Sequence, residues 1–149
     1  MRCCRRASSD RPGYPCRLRA AQTAARSRRA GLLDAQAPET LCLTTINLAE
    51  LLAGVEALPA GRRRKRLADA LTQQVLPLFE GRVFGFDVRA VHAFSRVQAS
   101  ARAAGKPIGF ADGAIAAIAA AQGCLIATRN VHDFMGTGVG IVNPWATAG

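Results

Sequence analysis

The chain is 149 residues long, half of them hydrophobic, with a formal net charge of +10. That length gives room for one domain with a real core, the apolar content excludes disorder throughout, and the longest apolar runs fall far short of the ~20 residues of a membrane span. The charge is uneven: residues 1–30 hold nine Arg and one Asp (+8), while the other 119 hold eleven Lys/Arg and nine Asp/Glu (+2).

The basic segment, residues 1–30, shows neither helical nor alternating periodicity. It contains Cys3, Cys4 and Cys16 without a CxxC pair, and the nearest histidine is His92, so a zinc site is not indicated. It lacks the apolar core of a secretory signal. Its Arg, Ala and Ser content fits an organellar transit peptide or a basic arm held by nucleic-acid phosphates. We read it as an irregular leader, and the domain as residues 31–149.

From Leu32 the pattern becomes ordinary. Residues 41–45, LCLTT, form a β-prone run. Thr44 is placed to cap a helix carrying Leu48, Leu51, Leu52 and Val55 at helical spacing. Glu50 falls between them, where periodicity alone reads as a solvent-facing position. The run Arg62–Arg66 opens a second amphipathic helix with Leu67, Leu71 and Val75 spaced by four, which Pro77 ends. As a lone feature the run is a nucleic-acid patch; at the head of an amphipathic helix it reads as a solvated helix end.

Residues 82–86, RVFGF, are the next strand, and Asp87 stands at an N-cap position before a helix with Val91, Phe94 and Val97 as its buried stripe. Gly105 closes that helix. An Ala-rich helix follows from Ala111 to Gln122, with Ile115 and Ile118 on one face and Gly123 at its stop. CLIAT (124–128) and VGIV (139–142) are short apolar runs suited to a parallel sheet. Cys42 and Cys124 read as buried strand residues in a reducing cytoplasm. GTGVG at 136–140 precedes a strand rather than a helix, so it is no phosphate loop. His92 and His132 have no partner at ligand or triad spacing.

Two carboxylates stand out in the last third. Asp112 lies in the first turn of an apolar helix, where the dipole favours an acid by about 0.3–1 kcal/mol. Its neighbours Ile108, Phe110, Ala111, Ala114 and Ile115 are apolar, so the carboxylate is half-buried and needs a cation. Asp133 follows the end of the next strand, where open α/β sheets place ligands. Two hard oxygen donors converging on one edge suit Mg²⁺ or Mn²⁺ rather than zinc.

ADGAIAAIAAAQG, ATRNVHDF and VNPW resemble the C-terminal half of a PIN domain of the VapC type, in its FitB-like branch. The block from LCLTTINLAELL to VFGFD resembles the same branch, and the likeness spans about Leu32 to Trp145. It implies an α/β/α sandwich with a mostly parallel sheet, and Mg²⁺-dependent endoribonuclease activity in a cytoplasmic toxin–antitoxin pair. It implies RNA as substrate, a cognate antitoxin and a homodimer as partners, and no membrane. The Arg62–Arg66 helix falls within the arm that grips antitoxin and twin subunit. The resemblance carries Glu50, Asp112 and Asp133 into the family's acidic quartet, with Asn130 as a supplementary metal ligand, since relatives place the fourth acid at either position.

The family's opening strand, which ends in an Asp-Thr-Asn-like motif and lies mid-sheet, finds no match here. Asp10 sits in a turn sequence without an apolar run before it. The leader therefore reads as translated from another frame or a wrong start, and the central first strand as missing or defective. Three functions follow: a ribonuclease toxin impaired by loss of its first Asp, an inactive remnant that still binds antitoxin or dimerises, and a basic nucleic-acid-binding protein acting through its leader.

Overall fold

The computed structural model describes residues 41–145 and the backbone of Cys3–Arg6. Expectations for residues 7–40 lie outside the described residues. The described elements run β1 (Cys3–Arg6), β2 (Leu43–Thr44), α1 (Thr45–Glu56), α2 (Arg62–Ala70), β3 (Val83–Phe84), α3 (Val88–Ala103), α4 (Phe110–Gln122), β4 (Cys124–Ala127), α5 (Val131–Phe134) and β5 (Ile141–Val142). This is the α/β arrangement expected. No helix among the described residues is long and apolar enough to cross a membrane.

The described strands form two small sheets. β2 pairs parallel with β3, Leu43 opposite Val83. β4 pairs parallel with β5, Ile126 opposite Ile141, and β1 joins the other edge of β4. Leader residues Cys3–Arg6 thus form a strand, which corrects the reading of the whole leader as irregular. The pairing is antiparallel, from Cys3 opposite Ala127 to Arg6 opposite Cys124. Backbone N–H and C=O groups on an open edge need partners, and an extended segment supplies them whatever its side chains. β1 carries no ladder to β2, so among the described residues the two parallel pairs are separate sheets.

The helices begin where their caps dictate. The Thr44 side chain accepts from Asn47 N at 3.1 Å and starts α1. Asp87 accepts from Ala90 N at 2.9 Å and starts α3. Gly123, at φ 63°, ends α4 in the left-handed conformation that glycine adopts without strain. The helix expected to run to Pro77 instead loosens after Ala70 into a π turn (Leu71–Val75) and a 3-10 turn (Leu76–Phe79). Proline, lacking an N–H, cannot continue the α ladder. Arg82 clamps this corner, its guanidinium donating to Leu41 O at 2.7 Å and to Leu78 O.

One apolar cluster joins the two sheets through α4: Ile115, Ala116 and Ala119 pack with Leu41 and Leu43 on one side and Cys124, Ile126 and Ala127 on the other. All seven residues from Gly113 to Ala119 are buried, so α4 is a central helix apolar on every side rather than on one face. The buried face of α3 is Ala90, Ala93, Val97 and Ala101. Of the expected stripe, Val97 is buried and Phe94 partly so, but Val91 is half exposed, because small alanines line the rest of the face that α3 turns to α4. Cys124 is buried, its thiol donating to Gln122 O at 3.7 Å, whereas Cys42, also buried, is disulfide-bonded. The expectation of two reduced thiols therefore fails for Cys42.

Candidate functional site

Asp112 is the third residue of α4, whose N-cap, Gly109, has no side chain to satisfy the first N–H groups. The carboxylate is half-buried and sits at the positive end of the helix dipole. The loop leading into it is held from α3: Lys106 N donates to Ala101 O at 2.8 Å, and Gln98 Nε2 donates to Ile108 O at 3.2 Å. Gly113 is required by the same packing, since a Cβ there would lie 2.9 Å from Phe94 Cε2 and 3.0 Å from Gln98 Nε2.

Asp133 lies in α5, a single helical turn that the sequence did not announce. Buried Thr128 folds the chain out of β4: its hydroxyl accepts from Asn130 N at 3.0 Å, and Asp133 N then donates to Asn130 O at 3.2 Å. Phe134, fully buried, anchors the turn in the core and leaves Asp133 on its outer side. Beyond β4, the Arg129 guanidinium lies 4.8 Å over the ring of Trp145, which ties the strand exit to the VNPW segment.

These two elements meet. Asp112, His132 and Asp133 line one cleft of about 470 Å³, whose remaining wall is the Gly105–Gly109 loop with Lys106. Neither Glu50 nor Asn130 is among its lining residues. Glu50 is exposed on α1, and among the described residues no three His, Cys, Asp or Glu side chains gather as a metal-binding group. The cleft's two carboxylates still fit a hydrated hard cation, because Mg²⁺ is commonly held by one or two carboxylates, waters and substrate phosphate. Sequence reasoning set His132 aside and missed Lys106: no local spacing marks either, and only the turn of α5 and the 105–109 loop bring them to the acids.

The strand ends collect on the same side. Phe86, two residues past β3, packs its ring 5.9 Å from that of Phe110, the first residue of α4. Asp133, past β4, shares the cleft with Asp112 of that same first turn. Both parallel pairs therefore point their carboxyl ends at the start of α4, the edge where open α/β sheets bind ligands. α1, which carries Glu50, issues from the end of β2 on this edge. Within its first turn lies Asn47, 1% exposed, whose Oδ1 accepts from Thr44 N (3.3 Å) and Thr44 Oγ1 (2.8 Å) while its Nδ2 has no hydrogen-bond partner. Flipping the amide would point Nδ2 at the Thr44 N–H, donor against donor, so the orphan donor belongs to the fold. The Arg62–Arg66 run lies on α2, mostly exposed, with Arg64 paired to Glu56 of α1.

Comparison with known proteins agrees with this architecture. The PIN domain family model matches residues 19–134, so the likeness reaches into the leader further than the motifs indicate. The VapC ribonuclease Y4jK of Sinorhizobium fredii is 46% identical over 116 residues, 78% of this chain and 83% of that protein. Toxin FitB of Neisseria gonorrhoeae is 37% identical over 113 residues, 76% of this chain and 81% of the toxin. The crystal structure of FitAcB from Neisseria gonorrhoeae superposes with a TM-score of 0.76 at 35% identity, covering 83% of this chain and 89% of that one.

Proposed function

Because this chain belongs to the PIN-domain family, we propose that it is a toxin of the VapC and FitB kind, a Mg²⁺- or Mn²⁺-dependent endoribonuclease whose site is weakened. The observation that carries this is the shared cleft of Asp112 and Asp133 at the carboxyl edge of the strands. Its two carboxylates would hold the hydrated ion. Glu50 and Asn130, the further ligands that the family resemblance implies, lie outside the cleft lining and would have to reach the ion from α1 and from the exit of β4. The ion would supply an ionised water and neutralise charge on the scissile phosphate. Lys106 in the cleft wall draws RNA phosphate toward the acids. The half-burial of Asp112 raises the effective strength of its charge on an oxygen-seeking cation. The toxin works in the cytoplasm, paired with a cognate antitoxin and with a second copy of itself.

A second reading has its own observation. Among the described residues no central strand joins the parallel pairs β2–β3 and β4–β5, and no residue of β1 is an acid. On this reading the first acid that the family resemblance implies would be lacking, and the chain would act as an inactive remnant that retains antitoxin binding. EDTA-sensitive cleavage of RNA by the purified chain, compared with its Asp112→Asn variant, separates the two. Weak cleavage lost in the variant supports the impaired nuclease. Equal cleavage by both proteins would remove Asp112 from the site.

A further inference from the structure

We propose that Phe110, backed by Phe86 and Phe94, is a stacking platform for an unpaired nucleobase of RNA lying across the Asp112–Asp133 cleft; the inference rests on the ribonuclease reading and names how its substrate is held. Phe110 is 63% exposed at the first position of α4, two residues before Asp112 and directly after Gly109 of the cleft wall. Its ring is fixed from behind: Phe94 lies 5.5 Å away and tilted by 53°, and Phe86 lies 5.9 Å away and edge-on at 70°. Phe86 and Phe94 meet at 5.7 Å and 87°, closing a three-ring cluster. A ring braced in this way presents an apolar surface to solvent without a rotamer search. Stacking on such a ring tolerates any base, because every base has a π-face.

The occupant is argued from charge and place. Residues 88–111, which span α3 and the loop into α4, carry Arg89, Arg96, Arg102 and Lys106 and no carboxylate. The three arginines are exposed and Lys106 lines the cleft. Arg89 donates to Ala121 O at the other end of α4, so the cation nearest in sequence to Phe110 is Lys106 of the cleft wall. An exposed aromatic beside it and beside carboxylates fit for a metal matches a strand of phosphates with unstacked bases. Val88 (72% exposed) and Val91 (50%) extend the apolar surface along α3, so a second copy of the chain is the competing occupant.

The test is equilibrium binding of a short, mixed-sequence, single-stranded oligoribonucleotide in EDTA, so that affinity is read without cleavage. Phe110→Ala and Phe110→Leu should each weaken binding about tenfold, within the range for losing one base–aromatic stack. Phe110→Trp should keep the affinity and show quenched indole emission relative to the protein with Trp145 alone. An oligoribonucleotide with abasic sites should bind the wild type and Phe110→Ala alike. Melting curves confirm that each variant folds. The proposal is overturned if the wild type does not bind the oligoribonucleotide, if Phe110→Leu binds as tightly as Phe, or if Phe110→Ala leaves RNA affinity unchanged while lowering the mass seen by light scattering. Loss of stacking with Asp112-dependent cleavage intact overturns only the platform, whereas stacking without Asp112-dependent cleavage leaves the platform and removes the catalytic reading.

Discussion

Thr44 and Asn47 cap each other across the first turn of α1: the Thr44 hydroxyl accepts from Asn47 N, and Asn47 Oδ1 accepts from Thr44 N. Both side chains are 1% exposed, so the pair is a buried joint between β2 and α1. Asn47→Ala leaves the Thr44 N–H without an acceptor, which costs about 1–3 kcal/mol. Thr44→Ala removes one cap at about 1 kcal/mol. Urea denaturation should rank the variants in that order, and the double variant should lose less than the sum because the two share one box.

Gly113→Ala should be destabilising despite alanine's better helix propensity. The propensity gain is about 1 kcal/mol, whereas the new methyl meets Phe94 and Gln98 at about 3 Å and overpacking costs about 1–3 kcal/mol. The displaced Gln98 also supports the Ile108 carbonyl of the cleft wall. A lower melting temperature is the expected readout; a higher one would show that Phe94 moves aside freely.

Mg²⁺ should raise the melting temperature of the wild type and not that of Asp112→Asn. An ion bound only by the folded state stabilises it by mass action, by about 2.7 kcal/mol at a hundred times its dissociation constant. Differential scanning calorimetry across a MgCl₂ series, with NaCl matched for ionic strength, reads this without any activity. An equal rise in both proteins would place the ion elsewhere.

Arg129→Ala should loosen the C-terminal strand. The guanidinium over Trp145 contributes about 0.5–1 kcal/mol at an exposed site, and it connects the exit of β4 to the segment after β5. Trp145 emission should shift to the red, with a small loss of stability. Arg129→Lys should recover part of both, since the ammonium keeps the charge and loses the planar stack.

On the impaired-nuclease reading, supplying an acidic first strand should raise activity. Replacing residues 1–31 with an apolar strand ending in Asp-Thr-Asn should turn weak RNA cleavage into strong, EDTA-sensitive cleavage, and adding Asp112→Asn should abolish it. Misplacing a reacting group costs about a hundredfold, and the gain on replacement should be of that order or larger. Strong cleavage by the unmodified chain, lost in its own Asp112→Asn variant, would show that the present acids suffice.

Short-range chemistry was legible in the sequence. Caps at Thr44 and Asp87 and the glycine stop at Gly123 act within three or four residues, and the α/β order follows from runs such as CLIAT after an Ala-rich helix. Asp112 could be placed half-buried at a helix start for the same local reason. Tertiary structure decided the rest. Cys3–Arg6 pairs with β4 through backbone groups that no side-chain pattern announces. Val91 lies half exposed because small alanines line most of the face that α3 turns to α4, and Phe110 lies largely exposed at the start of α4. Lys106 and His132 reach Asp112 and Asp133 only through the fold of the 105–109 loop and the single turn of α5. Membership of a cleft depends on where distant loops end, and residue spacing along a chain holds no record of that.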